Sequence, residues 1–458
     1  MTRFKRVILV NPPGTEQAGY TPSPLGLLYL AAYLRHKNKQ VNLAVIDGAI
    51  EGSGQVKKKL IDFHPDLVGI LVLTPARFEA LKVAHLAKRL NSGCEIVFGG
   101  VHPTFMWQQM MSHYKEIDYI VRGEGEITFY QLVSGKRLTE IDGLVWRRGE
   151  KIVKNPDRKN TKNLDKLPFP AWDLIGHLTY PARGQGIVNG INLSGVPRFT
   201  LIFSRGCMGA CTFCSSWKFW KGYRSRSGRN VADEVEYLVK AYGAQHFCFQ
   251  DDSFGGNRKE TINFCREIIK RKLKLAFVGC TRVDLVDARL LKLLKKAGFY
   301  ELAYGIESGS AEVLQKINKK TNLLAAKQAI EMTKKAGIRA IALLMYGLPG
   351  ETEMDRQKTR NFLDKLKPTG IGTNGEFWIF PETPIYSAAK TAGIISDRFW
   401  LGPKPYYVYR GGMYHDPVRW DLKIYDYLKF RFSGTIFNDL RIRFLLTLQS
   451  ASCILGGK

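Results

Sequence analysis

The stretch Arg205-Gly206-Cys207-Met208-Gly209-Ala210-Cys211-Thr212-Phe213-Cys214-Ser215-Ser216 carries three of the chain's eight cysteines. Three thiolates on one short loop suit an iron-sulfur cluster. No fourth cysteine follows at matching spacing, so one iron is left without a protein ligand and open to chemistry. Structural zinc sites and redox disulfides also use cysteine pairs with a two-residue gap. They fit less well here. Zinc takes four ligands, neither Cys248 nor Cys265 forms a second pair, and His177 and His246 are distant in sequence. Cys207, Cys211 and Cys214 are the expected metal ligands.

Outward from this loop, residues 198–380 read as six strand-plus-helix units, with strands over 199–203, 246–250, 276–279, 301–305, 339–345 and 370–380. A closed eightfold barrel takes about 250 residues, so an open (β/α)6 partial TIM barrel fits this shorter span, with its site at the carboxyl ends of the strands. The cysteine loop follows the first of those strands. Other strand ends bring polar groups to the same mouth: Gln250-Asp251-Asp252-Ser253, Thr281-Arg282-Val283-Asp284, Gly305-Ile306-Glu307-Ser308 and Tyr346-Gly347-Leu348. An ordinary ion pair on a barrel rim is the alternative reading of each, with the functional reading preferred. Cys248, Cys265, Cys280 and Cys453 match no second cluster pattern and are expected as packing residues.

Residues 5–133 alternate short apolar runs with helical patterns, the helices expected over 25–37 and 77–90. This βαβ rhythm predicts a doubly wound, Rossmann-like parallel sheet whose ligand sits beyond the carboxyl ends of the strands. The loops at those ends are Asn11-Pro12-Pro13-Gly14, Asp47-Gly48, Thr74-Pro75, Gly99-Gly100-Val101-His102 and Gly123-Glu124-Gly125-Glu126. Glycines there let backbone approach a ligand closely, and helix N-termini can hold phosphate. His102 is as readable as a hydrogen-bonded loop residue as it is a ligand.

The cysteine spacing, with Phe213 before the last cysteine, resembles the cluster loop of the radical S-adenosylmethionine (SAM) superfamily. The glycine-rich strand ends, with Pro24-Leu25-Gly26-Leu27-Leu28-Tyr29-Leu30, resemble the cobalamin-binding domain that precedes the radical domain in one group of that superfamily, which includes class B methyltransferases and anaerobic cyclases. The resemblance implies a 4Fe-4S cluster, SAM and cobalamin as cofactors. It implies SAM contacts at Phe213, Asp252, Arg282, Gly305, Glu307, Ser308 and Gly347, with Arg282 on the SAM carboxylate. Cobalamin contacts are implied at Asn11, Pro12, Pro13, Gly26, Asp47, Thr74, Gly99, Gly100, His102, Gly123, Glu124 and Gly125. One departure is informative. Many cobalamin proteins carry Asp-x-His-x-x-Gly, with the histidine ligating cobalt from below, and here Asp47-Gly48-Ala49-Ile50-Glu51-Gly52 has alanine in its place.

The expected boundaries are a cobalamin-binding-like domain over 1–140, a linker with a hairpin over 141–195, the radical SAM barrel over 196–385 and a small aromatic and basic C-terminal cap over 386–458. Hydrophobic content of 45% and charged content of 24% belong to a soluble globular chain, without an apolar run long enough for a membrane span. A cytoplasmic enzyme is expected, with peripheral membrane contact through its tail as an option. The net charge of +28 favours anionic partners, and the aromatic tail favours apolar ones. The expected partners are therefore a small-molecule substrate, anionic or lipid-like, and an electron donor such as flavodoxin or ferredoxin. Nucleic acid is not expected.

By resemblance, the reaction is reductive SAM cleavage at the cluster to a 5'-deoxyadenosyl radical, followed by methyl transfer to an unactivated carbon. Cobalamin-assisted cyclisation or oxidation is the alternative among enzymes. A non-catalytic cobalamin- or nucleic-acid-binding protein is the alternative outside them.

Overall fold

The computed structural model describes residues 2–14, 21–176, 178, 180, 186–348 and 350–402, with only the backbone of 373–376, 407–410 and 413–414. Two sheets dominate. The first contains β1 (Arg6–Asn11), β2 (Asn42–Asp47), β3 (Leu67–Leu71), β4 (Glu95–Gly99), β5 (Tyr119–Val121), β6 (Leu144–Arg148) and β7 (Lys151–Lys154), in the order β2-β1-β3-β4-β5-β6-β7. Strands β1 to β5 run parallel, and the β6–β7 hairpin adds antiparallel to β5. The hairpin expected in the linker thus extends the first sheet. Strand order reverses at β1, with β2 added on one side of it and β3 on the other, and this switch point opens a crevice at the carboxyl edge.

The helices match the periodicity. Leu25–Lys37 buries Leu25, Leu28, Ala31 and Leu34 among others, and its last turn carries Arg35 and Lys37, cations that suit the negative end of the helix dipole. Arg77–Leu90 likewise keeps its expected bounds.

A small ribbon, β8 (Ile187–Val188) with β9 (Ile191–Asn192), precedes the second sheet. That sheet has six parallel strands in sequence order: β10 (Arg198–Leu201), β13 (His246–Phe254), β14 (Ala276–Thr281), β15 (Phe299–Glu307), β16 (Arg339–Tyr346) and β17 (Gly370–Glu376). Between β10 and β13 the chain forms the antiparallel pair β11 (Ser204–Arg205) and β12 (Arg224–Ser225), which closes the base of the cysteine loop. Gly206 is obligatory there. Its φ is 91°, and a Cβ would come within 2.1 Å of the Gly222 carbonyl oxygen.

Strand period fixes what faces where in the barrel. Phe247, Phe249, Phe277 and Phe299 are buried; Phe249 and Phe277 pack edge-on against helical Phe264, and the Phe249 and Phe299 rings stack at 5.8 Å. Truncating one to alanine would cost about 3–5 kcal/mol. Cys248, Gln250 and Asp252 alternate with these phenylalanines and are left more open. One apolar core runs from Leu28 through Trp172 of the linker to Phe247, joining both sheets.

After the barrel, Trp378–Ile379 pairs with Tyr407–Arg410. The first part of the expected cap lies on the N-terminal domain: buried Arg77 donates to the carbonyls of Trp400 and Gly402, and Gln109 to Asp397. The aromatic and basic tail from residue 415 lies outside the described residues. Among the described residues no helix is long and apolar enough to cross a membrane.

Candidate active site at the junction of the two sheets

The cysteine loop is held by neighbours rather than by regular structure. Thr212 donates its backbone N–H to the Ile317 carbonyl, Asn318 donates to the Ala210 carbonyl, and Ile385 donates to the Thr212 carbonyl. Two of the sulfurs accept backbone N–H groups, Cys207 from Gly209 at 3.3 Å and Cys214 from Ser216 at 3.4 Å. Burial pushes Cys214 up to about 12 and raises Cys211 above its ordinary value, so thiolates there call for cationic partners such as iron. A Cβ on Gly209 would lie 2.9 Å from the Arg282 guanidinium and 3.5 Å from the Cys207 sulfur, so glycine keeps this space open. Among the described residues no three ligand side chains are grouped to hold a single metal ion, whereas a cluster spreads its cysteines over different irons. The loop fits a cluster.

At the barrel mouth, Glu307 ends β15 in the left-handed region, at φ 67°. Its Oε1 accepts from Lys319 Nζ at 2.8 Å, while Oε2 is buried without a partner. Burial alone would lower Lys319, but the Glu307 charge and hydrogen bond hold it above its ordinary value. Gly305 makes this pair possible, because a Cβ there would come within 2.6 Å of Glu307 Oε1. Arg282 is held by Asp284 through two 2.9 Å hydrogen bonds, which raise it above its ordinary value, and it also donates to the Lys320 carbonyl. Asp252 accepts from the Ser216 hydroxyl beside Cys214. An unpartnered carboxylate oxygen with two cations complements an ammonium and a carboxylate, the amino-acid end of SAM.

Other expected SAM contacts point elsewhere. The Ser308 hydroxyl is buried against Thr359 and accepts from Ser310 N, so it shapes the turn after β15. Gly347 donates its N–H to Glu351, and Phe213 packs edge-on against Phe377. Lys319 has no counterpart in the sequence expectations. It sits in the irregular turn after helix Ala311–Lys316, where no periodicity marks it.

A cleft enclosing about 1000 Å³, open mouth included, lies beyond the carboxyl edge of the first sheet. Of the residues expected at cobalamin, Gly26, Gly99, Gly100, Gly123, Glu124 and Gly125 line it. Leu9, Leu71 and Phe129 add an apolar floor, and Ile202, Arg205, Phe219 and Trp220 add a wall from the barrel side. A Cβ on Gly26 or Gly123 would meet nothing within 4 Å, so the glycine edge leaves room for a broad flat ring. The cleft fits a corrin.

The remaining expected cobalamin residues lie outside that lining. Asn11 and Tyr180 each donate to the buried Asp47 carboxylate at 2.6 Å, so Asp47 anchors the linker. Pro13 packs on Gly48, and Pro12 precedes it in the same turn. His102 shares a 3.3 Å hydrogen bond with Thr74 and packs edge-on against Trp400. Burial, with the nearby Arg77 charge, pushes His102 down to about 3, leaving a neutral interior imidazole. These side chains turn inward because strand-end polar groups must be satisfied once buried.

The Radical SAM superfamily model matches residues 201–363, and the B12 binding domain model matches residues 13–133. An uncharacterized methyltransferase of Pyrococcus horikoshii is 34% identical over 376 residues, covering 80% of this chain and 79% of that protein. The anaerobic magnesium-protoporphyrin IX monomethyl ester cyclase of Rubrivivax gelatinosus is 33% identical over 371 residues, 77% of this chain and 64% of that one. Among solved structures, the radical SAM methyltransferase TsrM from Kitasatospora setae, with cobalamin and a [4Fe-4S] cluster bound, superposes with a TM-score of 0.69 at 21% identity, over 85% of this chain and 76% of that one. The chain belongs to the radical SAM superfamily, in the group whose barrel follows a cobalamin-binding domain. It is an enzyme whose cofactors are a 4Fe-4S cluster, SAM and cobalamin.

Proposed function

We propose that the enzyme transfers a methyl group from SAM, by way of cobalamin, to an unactivated carbon of a small molecule. The observation that carries this reading is the shared wall: Arg205 and Trp220, on the segment bearing the cysteines, also line the glycine cleft. When bound, the cluster with SAM supplies hydrogen abstraction and cobalamin supplies a methyl carrier. The chain's residues do the rest. Cys207, Cys211 and Cys214 hold the cluster, the open oxygen of Glu307 accepts the SAM ammonium, and Lys319 and Arg282 face its carboxylate. The cleft floor of Leu9, Leu71 and Phe129 excludes water beneath the ring. Similarity to an uncharacterized methyltransferase supports the reading.

Ring closure is the second reading, favoured by the similarity to the Rubrivivax cyclase. The net charge of +28 points to an anionic substrate in either case, and an acidic flavoprotein or ferredoxin suits the same field as electron donor. The reactions differ in what SAM becomes. Methyl transfer through cobalamin yields S-adenosylhomocysteine as well as 5'-deoxyadenosine, and cyclisation yields 5'-deoxyadenosine alone. Reconstituted enzyme given methyl-labelled SAM, reductant and hydroxocobalamin should form S-adenosylhomocysteine only when cobalamin is present. Deoxyadenosine without any homocysteine product would replace methyl transfer with ring closure.

A further inference from the structure

Glu124 is placed unlike the other residues of the glycine edge. It lines the cleft, yet both of its carboxylate oxygens are engaged by protein. Oε1 accepts from Arg205 at 3.1 Å and from Arg224 at 2.8 Å, and Oε2 accepts from the Thr161 backbone N–H at 2.7 Å. Arg205 also reaches Glu126 at 2.5 Å, and the side chains of Arg205, Glu124 and Glu126 are each no more than 7% exposed. The Arg205 guanidinium lies 5.3 Å from the Tyr29 ring and 5.5 Å from the Trp220 ring, both in the cleft wall.

Arg205 and Arg224 are direct partners in the β11–β12 pair, and the chain between them carries Cys207, Cys211 and Cys214. One carboxylate of the first domain therefore fastens both ends of the cluster loop. Gly206 and Gly222 make the tight closure at those ends, so the loop leaves its base with little slack. Two guanidiniums and an amide take three of the roughly four acceptor sites of this carboxylate, so most of its hydrogen-bonding capacity is spent on protein rather than on a corrin side chain. Its position in the wall puts the same side chain in contact with the cleft and with both ends of the cysteine loop.

We infer that Glu124 is a positioning residue that couples cobalamin occupancy to the cluster loop through its paired contacts with Arg205 and Arg224. This rests on cobalamin binding in the cleft but not on the reaction catalysed. The test is hydrogen–deuterium exchange of peptides within 206–223, using full-length cluster-free protein titrated with hydroxocobalamin, with bound cobalt counted on the same samples. In the wild type, cobalamin should slow exchange of these peptides by about 5- to 150-fold, the range of ordinary site coupling. In Glu124→Gln the cobalamin-dependent change should vanish while cobalt is still retained. Arg224→Gln, a milder change because that side chain is 15% exposed, should lose part of it. A merely structural role would speed exchange with and without cobalamin alike, leaving the cobalamin-dependent difference intact, and that result would overturn the proposal. Bound cobalt with no change in wild-type exchange overturns it too. Absence of bound cobalt in the wild type would contradict the cofactor assignment itself, and the coupling with it.

Discussion

The glycine cleft and the barrel mouth are neighbours that solve opposite problems. The cleft is an apolar, glycine-edged space whose nearby polar groups are mostly spent on each other: Asp47 on Asn11 and Tyr180, His102 on Thr74, Glu124 on two arginines. The mouth keeps charge in reserve, with one oxygen of Glu307 unpartnered and Lys319 and Arg282 close to the cysteine loop. A large ring whose chemistry resides in its metal asks for shape and exclusion of water. A small zwitterion that must be oriented against an iron asks for directed charge. The same chain thus recognises one cofactor by backbone approach and the other by ion pairs.

That contrast can be broken in four ways, in decreasing order of effect. Cys211→Ser removes a cluster ligand and should reduce iron per chain to background and abolish SAM cleavage, with bound cobalt retained; iron analysis and product chromatography would show it. Lys319→Met leaves Glu307 buried beside an apolar chain. Breaking such a pair costs about 3–5 kcal/mol, which a fall in melting temperature would register, and SAM affinity should drop by about tenfold or more. Gly26→Leu is the converse test. Its Cβ meets nothing, and replacing a helical glycine stabilises the helix by about 1 kcal/mol, so the melting temperature should hold while the side chain occupies the cleft and cobalt is lost. Cobalt retained in Gly26→Leu would mean that the ring sits elsewhere.

The smallest effect is a pH dependence. His102 is depressed from 6.5 to about 3, so below pH 6.5 the unfolded chain binds a proton that the folded chain refuses. Its contribution to stability is full above that pH and is lost progressively as pH falls towards 3. His102→Leu should flatten this acid-side slope of melting temperature, with no change in cobalt content at neutral pH. Loss of cobalt at neutral pH would return His102 to the cofactor site.

What the sequence made legible was local. Helices 25–37 and 77–90 keep their expected bounds because their apolar periodicity and terminal residues are written within each segment. The cysteine triplet, the six parallel strands and the glycine edge were legible for the same reason. Less legible were features that depend on where a side chain turns after folding. Asn11, Asp47, Thr74 and His102 occupy strand ends as expected, but burial commits them to one another. The Glu124 contacts join residues 81 and 100 positions apart, beyond the reach of any spacing rule. Lys319 lay equally hidden, since a lysine in a polar turn reads as solvated until the chain folds it onto Glu307. The hairpin was visible as a hairpin, but its edge pairing with β5 is a property of the sheet.

The central claim is that two metal cofactors occupy adjoining sites of one chain, and metal stoichiometry tests it most directly. The protein would be purified without oxygen, its cluster rebuilt, hydroxocobalamin added and unbound cofactor removed before iron and cobalt are counted. The account predicts about four irons, the content of a 4Fe-4S cluster, and about one cobalt per chain. Four irons with no cobalt would contradict it and leave the cleft without the cofactor its shape suits.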